Sequence, residues 1–126
     1  MTREMKIPGP DHPITVEPSA DRVVVRAGGA TIADSTATLV LQEANYPPVR
    51  YIPIDDVDQT LLAPSEAATY CPYKGDASYR SITTEPDRGR DALWFYDEPY
   101  AAVEAIRDHV AFYPDRVEIT IDEVSR

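Results

Sequence analysis

Thr69-Tyr70-Cys71-Pro72-Tyr73-Lys74-Gly75-Asp76-Ala77-Ser78-Tyr79 is the stretch from which the fold is read. Pro72 fixes φ and has no N–H, so Cys71 is pushed towards an extended conformation. Gly75 takes φ > 0 at little steric cost. Tyr73-Lys74-Gly75 can therefore close a type I turn, with Gly75 as the left-handed residue of a bulge. The flanks Ala68-Thr69-Tyr70-Cys71 and Ala77-Ser78-Tyr79-Arg80-Ser81-Ile82 have the composition of strands. The expectation is a β-hairpin with a thiol and an ammonium near its tip. An ammonium close to a sulfur favours the thiolate, the reactive form. The plainer reading makes Cys71 a small buried hydrophobe and Lys74 a solvated turn residue.

Working outward towards the N-terminus, more strands follow. Ile14-Thr15-Val16, Arg22-Val23-Val24-Val25-Arg26, Ala30-Thr31-Ile32-Ala33-Asp34 and Thr38-Leu39-Val40-Leu41-Gln42-Glu43 are β-prone and separated by short links. Gly28-Gly29 is a two-residue turn signal of the primed type. Four strands within about thirty residues predict a meander. Residues 1–13 hold Pro8, Gly9, Pro10 and Pro13 and no hydrophobic period, and read as an extended arm. His12 within it reads as a hydrogen-bonded or solvated side chain.

Tyr46-Pro47-Pro48 interrupts the pattern, and Tyr51-Ile52 resumes it before Pro53. Asp55, Asp56 and Asp58 raise the question of a metal. No glycine turn and no distal glutamate complete a calcium loop, so Asp55 or Asp56 is expected to cap a short helical turn with Val57 and Leu61 inward.

Beyond the hairpin, Glu85 to Asp91 is a polar connection. Ala92-Leu93-Trp94-Phe95-Tyr96 reads as an inner strand, with Trp94 either core or a ligand-stacking wall. Asp97-Glu98-Pro99 has the chemistry of a helix start. Ala102, Val103, Ile106 and Val110 recur at helical spacing, which predicts one α-helix over about 99–109, with His109 near its end. Val117 to Ile121 alternates like a strand. The fold class is mainly β: a small antiparallel sheet domain with one α-helix in its C-terminal half, a single domain over 1–126.

Composition narrows the function. A chain of 126 residues suffices for one core without staples. With 22 acidic and 12 basic side chains the net charge is −10, and the basic residues are scattered. That disfavours nucleic acid, whose phosphates need clustered lysine and arginine. The single cysteine excludes an internal disulfide and a multi-cysteine zinc site. The sequence has neither an apolar run of membrane-spanning length nor a signal-peptide pattern, so no membrane partner and a cytoplasmic location are expected. No glycine loop for phosphate and no nucleophile elbow is visible, and no cofactor or metal is called for.

Cys71-Pro72-Tyr73-Lys74-Gly75 with Ala77-Ser78-Tyr79 resembles the hallmark of domain-of-unknown-function family 427, which is also filed under a nucleotidyltransferase-like label. Further matching pieces are His12-Pro13-Ile14-Thr15, Ile32-Ala33-Asp34-Ser35, Tyr51-Ile52-Pro53 with Asp56-Val57, Trp94-Phe95-Tyr96 and Val110-Ala111-Phe112-Tyr113. The resemblance implies a β-tent, similar to the Mss4-like folds. Several proteins of that fold bind zinc through paired cysteines, a site that a chain with one cysteine does not carry.

Three functions compete. The first is a binding module for a small polar or anionic ligand, in a cleft lined by Tyr51, Tyr73, Ser78, Tyr79, Trp94 and Tyr96. Lys74 would fix an anionic or carbonyl group there. The second is a structural or protein-interaction domain. The third is a thiol enzyme with Cys71 as nucleophile and Lys74 lowering its pKa. In it Ser78 or a backbone N–H would steady an oxyanion, and His12 or His109 would approach in space.

Overall fold

The computed structural model describes residues 4–123; the first three residues of the expected arm lie outside them. The strands are β1 Ile14–Ser19, β2 Arg22–Ala27, β3 Ala30–Ser35, β4 Thr38–Glu43, β5 Val49–Pro53, β6 Leu62–Cys71, β7 Gly75–Ile82, β8 Leu93–Phe95, β9 His109–Phe112 and β10 Glu118–Asp122. Seven form one sheet in the order β1-β4-β5-β9-β8-β7-β6, and three form a second in the order β10-β2-β3. All ladders are antiparallel. The fold is therefore mainly β, as the strand patterns predict. No helix among the described residues is long and apolar enough to cross a membrane.

The hairpin of β6 and β7 forms, with its turn one residue earlier than the spacing predicts. The Lys74 N–H donates to the Cys71 carbonyl at 3.1 Å, so Pro72 and Tyr73 are the central residues. Proline at the first central position suits such a turn. Gly75 follows at φ 112° and pairs with Cys71. The strands are longer than their β-prone cores. Pro64 is tolerated because β6 lies at the sheet edge and its register shifts between Pro64 and Ala68.

The meander does not form. β1 pairs with β4, while β2 and β3 make their own hairpin in the other sheet, joined by β10. Gly28 and Gly29 close that hairpin at φ 57° and 81°, the left-handed pair a primed turn requires. Short links allowed either pairing; burial decides between them. Val23, Val25 and Ile32 pack into a core shared with Ile82, Leu93 and Phe112 of the large sheet. Pro18 in β1 cannot donate to a ladder and sits on the sheet edge.

The expected α-helix over 99–109 is also corrected. The segment is a 3-10 helix, Ala101–Ile106, kinked at Val103. Its buried residues are Val103 and Ile106, three apart, the period of a 3-10 turn. Asp108 turns the chain at φ 62°, and Val110 leaves the helix to pair with Ile52 in the sheet. So short a helix gains little by itself, and the ladder wins.

Near the middle of the chain, Asp58 rather than Asp55 or Asp56 is the cap. Its carboxylate accepts from the Thr60 N–H ahead of the turn Gln59–Leu61, and Asp56 instead accepts from Ser35. Val57 is buried and Leu61 half-buried, as expected.

Period-2 alternation puts a separate core on each face of the large sheet. Ile52, Leu93, Val110 and Phe112 face the small sheet. Tyr51, Tyr79, Tyr96 and Ala111 pack with Val103 and Ile106 on the other side.

Candidate functional site

A gap in the large sheet makes the site. The β5–β9 ladder covers only Ile52↔Val110 and Pro53↔His109. Beyond it, Val49 and Arg50 part from Phe112 and Tyr113. At this parting lies a cavity of about 710 Å³, bordered by both sheets. Its walls include Tyr51, Tyr79, Trp94, Tyr96 and Tyr113, with Tyr46-Pro47-Pro48 at one side and Ile119 and Ile121 of β10 at another. β-sheet register explains the aromatic grouping: Tyr79 lies opposite Trp94, and Trp94 opposite Ala111. Trp94 packs at 4.4 Å from the Tyr113 ring centroid and meets Tyr51 edge-on at 6.4 Å. Its indole N–H donates to the Tyr51 hydroxyl at 3.2 Å.

Lys74 and Glu43 supply the polar end. Lys74 is only 8% exposed, not solvated. Its Nζ donates to Glu43 Oε1 at 2.6 Å and lies 3.5 Å from Cys71 Sγ. The other Glu43 oxygen meets His12 Nε2 at 2.7 Å. The arm brings His12 there because Ile14 pairs with Glu43 and the Ala44 N–H donates to the Pro13 carbonyl at 2.8 Å. The arm also holds the hairpin directly, through the Lys6 N–H to the Pro72 carbonyl at 2.8 Å. Burial pushes the Glu43 carboxyl up, but hydrogen bonds from Lys74 and His12 outweigh it and hold the group below its ordinary value.

The expected site residues separate into two groups. Tyr51, Lys74, Tyr79, Trp94 and Tyr96 border the cavity. Tyr73 and Ser78 do not. Tyr73 stacks on the His12 ring, centroids 4.2 Å apart and planes within 6°. Ser78 is next to Tyr79 on one strand, so it points to the opposite face. Cys71 is half-buried and reaches the cluster through Lys74 without lining the cavity. His109 borders a smaller hollow of about 170 Å³ with Arg80, Asp97 and Asp108, and bonds the Arg107 carbonyl. Neither histidine is bonded to the thiol. Glu43, Arg50 and Tyr113 are cavity residues that the sequence reading did not single out.

Burial also acts on the phenols. It raises Tyr51 and Tyr96 well above their usual range, and raises Tyr113, with help from a hydrogen bond to Tyr79, to about 12. These rings stay protonated in the native state when an unfolded chain would ionise, near pH 10. The unfolded state then binds fewer protons, so stability is intact below about pH 10 and falls as pH rises above it. An ultraviolet phenolate titration checks this: at about pH 11 native absorbance falls short of that in denaturant. Full ionisation in the native state would contradict the buried placement.

Over residues 15–123 the sequence matches the family described as Domain of unknown function (DUF427). No curated protein matches the chain.

Proposed function

We propose that this chain, which belongs to the DUF427 family, is a binding module for a small polar ligand held in the aromatic cleft. One observation carries the reading: Tyr51, Tyr79, Trp94 and Tyr96 border the same cavity as the Lys74–Glu43 pair. Pockets of several hundred Å³ with apolar walls and a few convergent polar groups are the usual form of a small-molecule site. An anionic ligand is disfavoured, because both cations at the cavity are already paired, Lys74 with Glu43 and Arg50 with Asp21. Among the described residues that line the cavity, then, neither cation is free for a phosphate. A lone free thiol suits a reducing compartment such as the cytoplasm.

Thermal unfolding against a metabolite panel tests the reading. A true ligand at a hundredfold over its Kd stabilises by about 2.7 kcal/mol. The expected result is at least one stabilising compound whose effect is reduced in Lys74→Met. Stabilisation of equal size in both proteins, or none across the panel, would overturn it.

A further inference from the structure

We infer that the ligand of this cleft is a neutral amphiphile, with a hydroxyl-bearing head at the Lys74–Glu43 pair and an alkyl chain that runs through the sheet to β10. The inference rests on the binding reading above and names the class of that ligand. The two ends of the cavity lie on opposite faces of the large sheet. Leu41 and Tyr51 belong to the core on one face. Glu43, two residues on from Leu41 in β4, shares that face. Val23, Val25, Ile52 and Phe112 belong to the core on the other face, towards the small sheet. All of these residues border one cavity, which therefore passes through the parting between β5 and β9.

The β10 end is apolar and partly open. Ile119 lies opposite Val25 and Ile121 opposite Val23 across the β10–β2 ladder, so the four side chains share one face. Val23 and Val25 are buried, whereas Ile119 and Ile121 are left 37% and 43% exposed. Five large apolar side chains are exposed among the described residues, and three of them, Tyr46, Ile119 and Ile121, border this cavity. Exposed apolar surface gathered at one concavity marks a surface that an occupant covers. A cavity of about 710 Å³ has the size of a small-molecule site.

The opposite end fixes the head. Of the three N–H groups of Lys74, one goes to Glu43 and one to the Cys71 sulfur, which leaves a third. The Glu43 carboxylate accepts one bond on each oxygen and has lone pairs to spare. A hydroxyl can accept from the ammonium and donate to the carboxylate. A carboxylate head would lie against Glu43 with no cation of its own, since Lys74 is already paired.

The test is a titration of the Trp94 indole N–H resonance with 1-butanol, 1-hexanol, 1-octanol and octanoate. It is run on the wild type and on a double variant, Ile119→Thr with Ile121→Thr. Threonine is β-branched and both positions are exposed, so β10 still forms. In the wild type, affinity should rise about fourfold per added CH₂ along the alkanols. Octanoate should bind at least about tenfold more weakly than 1-octanol. In the double variant 1-octanol should weaken about tenfold while 1-butanol is unchanged. Equal affinity for all three alkanols, octanoate binding as tightly as 1-octanol, a neutral double variant, or no response to any alkanol would each overturn the amphiphile. The binding reading itself is judged separately, by the metabolite panel with Lys74→Met.

Discussion

Gly28→Ala should destabilise the protein by about 3 kcal/mol or more, while Gly29→Ala should cost about 1 kcal/mol. Both residues have positive φ, 57° and 81°, so both substitutions strain the turn. They differ in surroundings. A Cβ on Gly28 would sit 2.0 Å from the Thr84 carbonyl oxygen, whereas one on Gly29 meets nothing within 4 Å. The same contact is held from the other side, where the Thr84 hydroxyl donates to the Ala27 carbonyl at 2.9 Å. The tip of the small-sheet hairpin is thereby joined to the loop after β7. Urea unfolding of both variants reads the contrast. Equal losses would mean the tip is free and the two sheets are not joined there.

Glu43→Ala is the second large effect, an expected loss of about 3 kcal/mol. Removal strips Lys74 of its carboxylate and leaves a nearly buried ammonium, its side chain 11% exposed, beside only a sulfur. It also removes the His12 hydrogen bond, one attachment of the arm, and leaves that ring held by its stacking on Tyr73. Glu43→Gln should lose less, because an amide oxygen still accepts. Acid gives an independent check. The Glu43 carboxyl is held below its ordinary 4.5, so its contribution is complete above that pH and fades as pH falls through the native value. The stability gap between wild type and Glu43→Gln should therefore be largest near neutrality and close in acid. A gap that is constant with pH would show that the ion pair contributes nothing.

These two sites also mark where sequence reading succeeds and stops. The Gly28-Gly29 turn and the proline-glycine hairpin tip are local, and local backbone chemistry predicts them. Which of two adjacent glycines touches Thr84 is a tertiary fact with no local signal. The aromatic cleft residues could be named because they lie in β-prone stretches. Glu43 could not, since it is thirty-one residues from both Lys74 and His12. Ser78 is different: strict alternation along β7 puts it on the face away from Tyr79, so the sequence held the signal that excludes it. The 3-10 segment was not legible, because Ala102, Val103, Ile106 and Val110 repeat at three and four, and only burial in the fold singles out the Val103–Ile106 pair. The exchange of β2 and β3 into a second sheet had no marker beyond Pro18, which points to an edge strand.

Trp94 is the single tryptophan of the chain, and its indole N–H sits in the cleft on the Tyr51 hydroxyl. One indole resonance therefore reports on the site alone. Compounds that raise the melting temperature should each move that resonance, saturating at the same concentration as the stabilisation. A stabilising compound that leaves the Trp94 signal unmoved while shifting residues elsewhere would contradict a ligand site in this cleft.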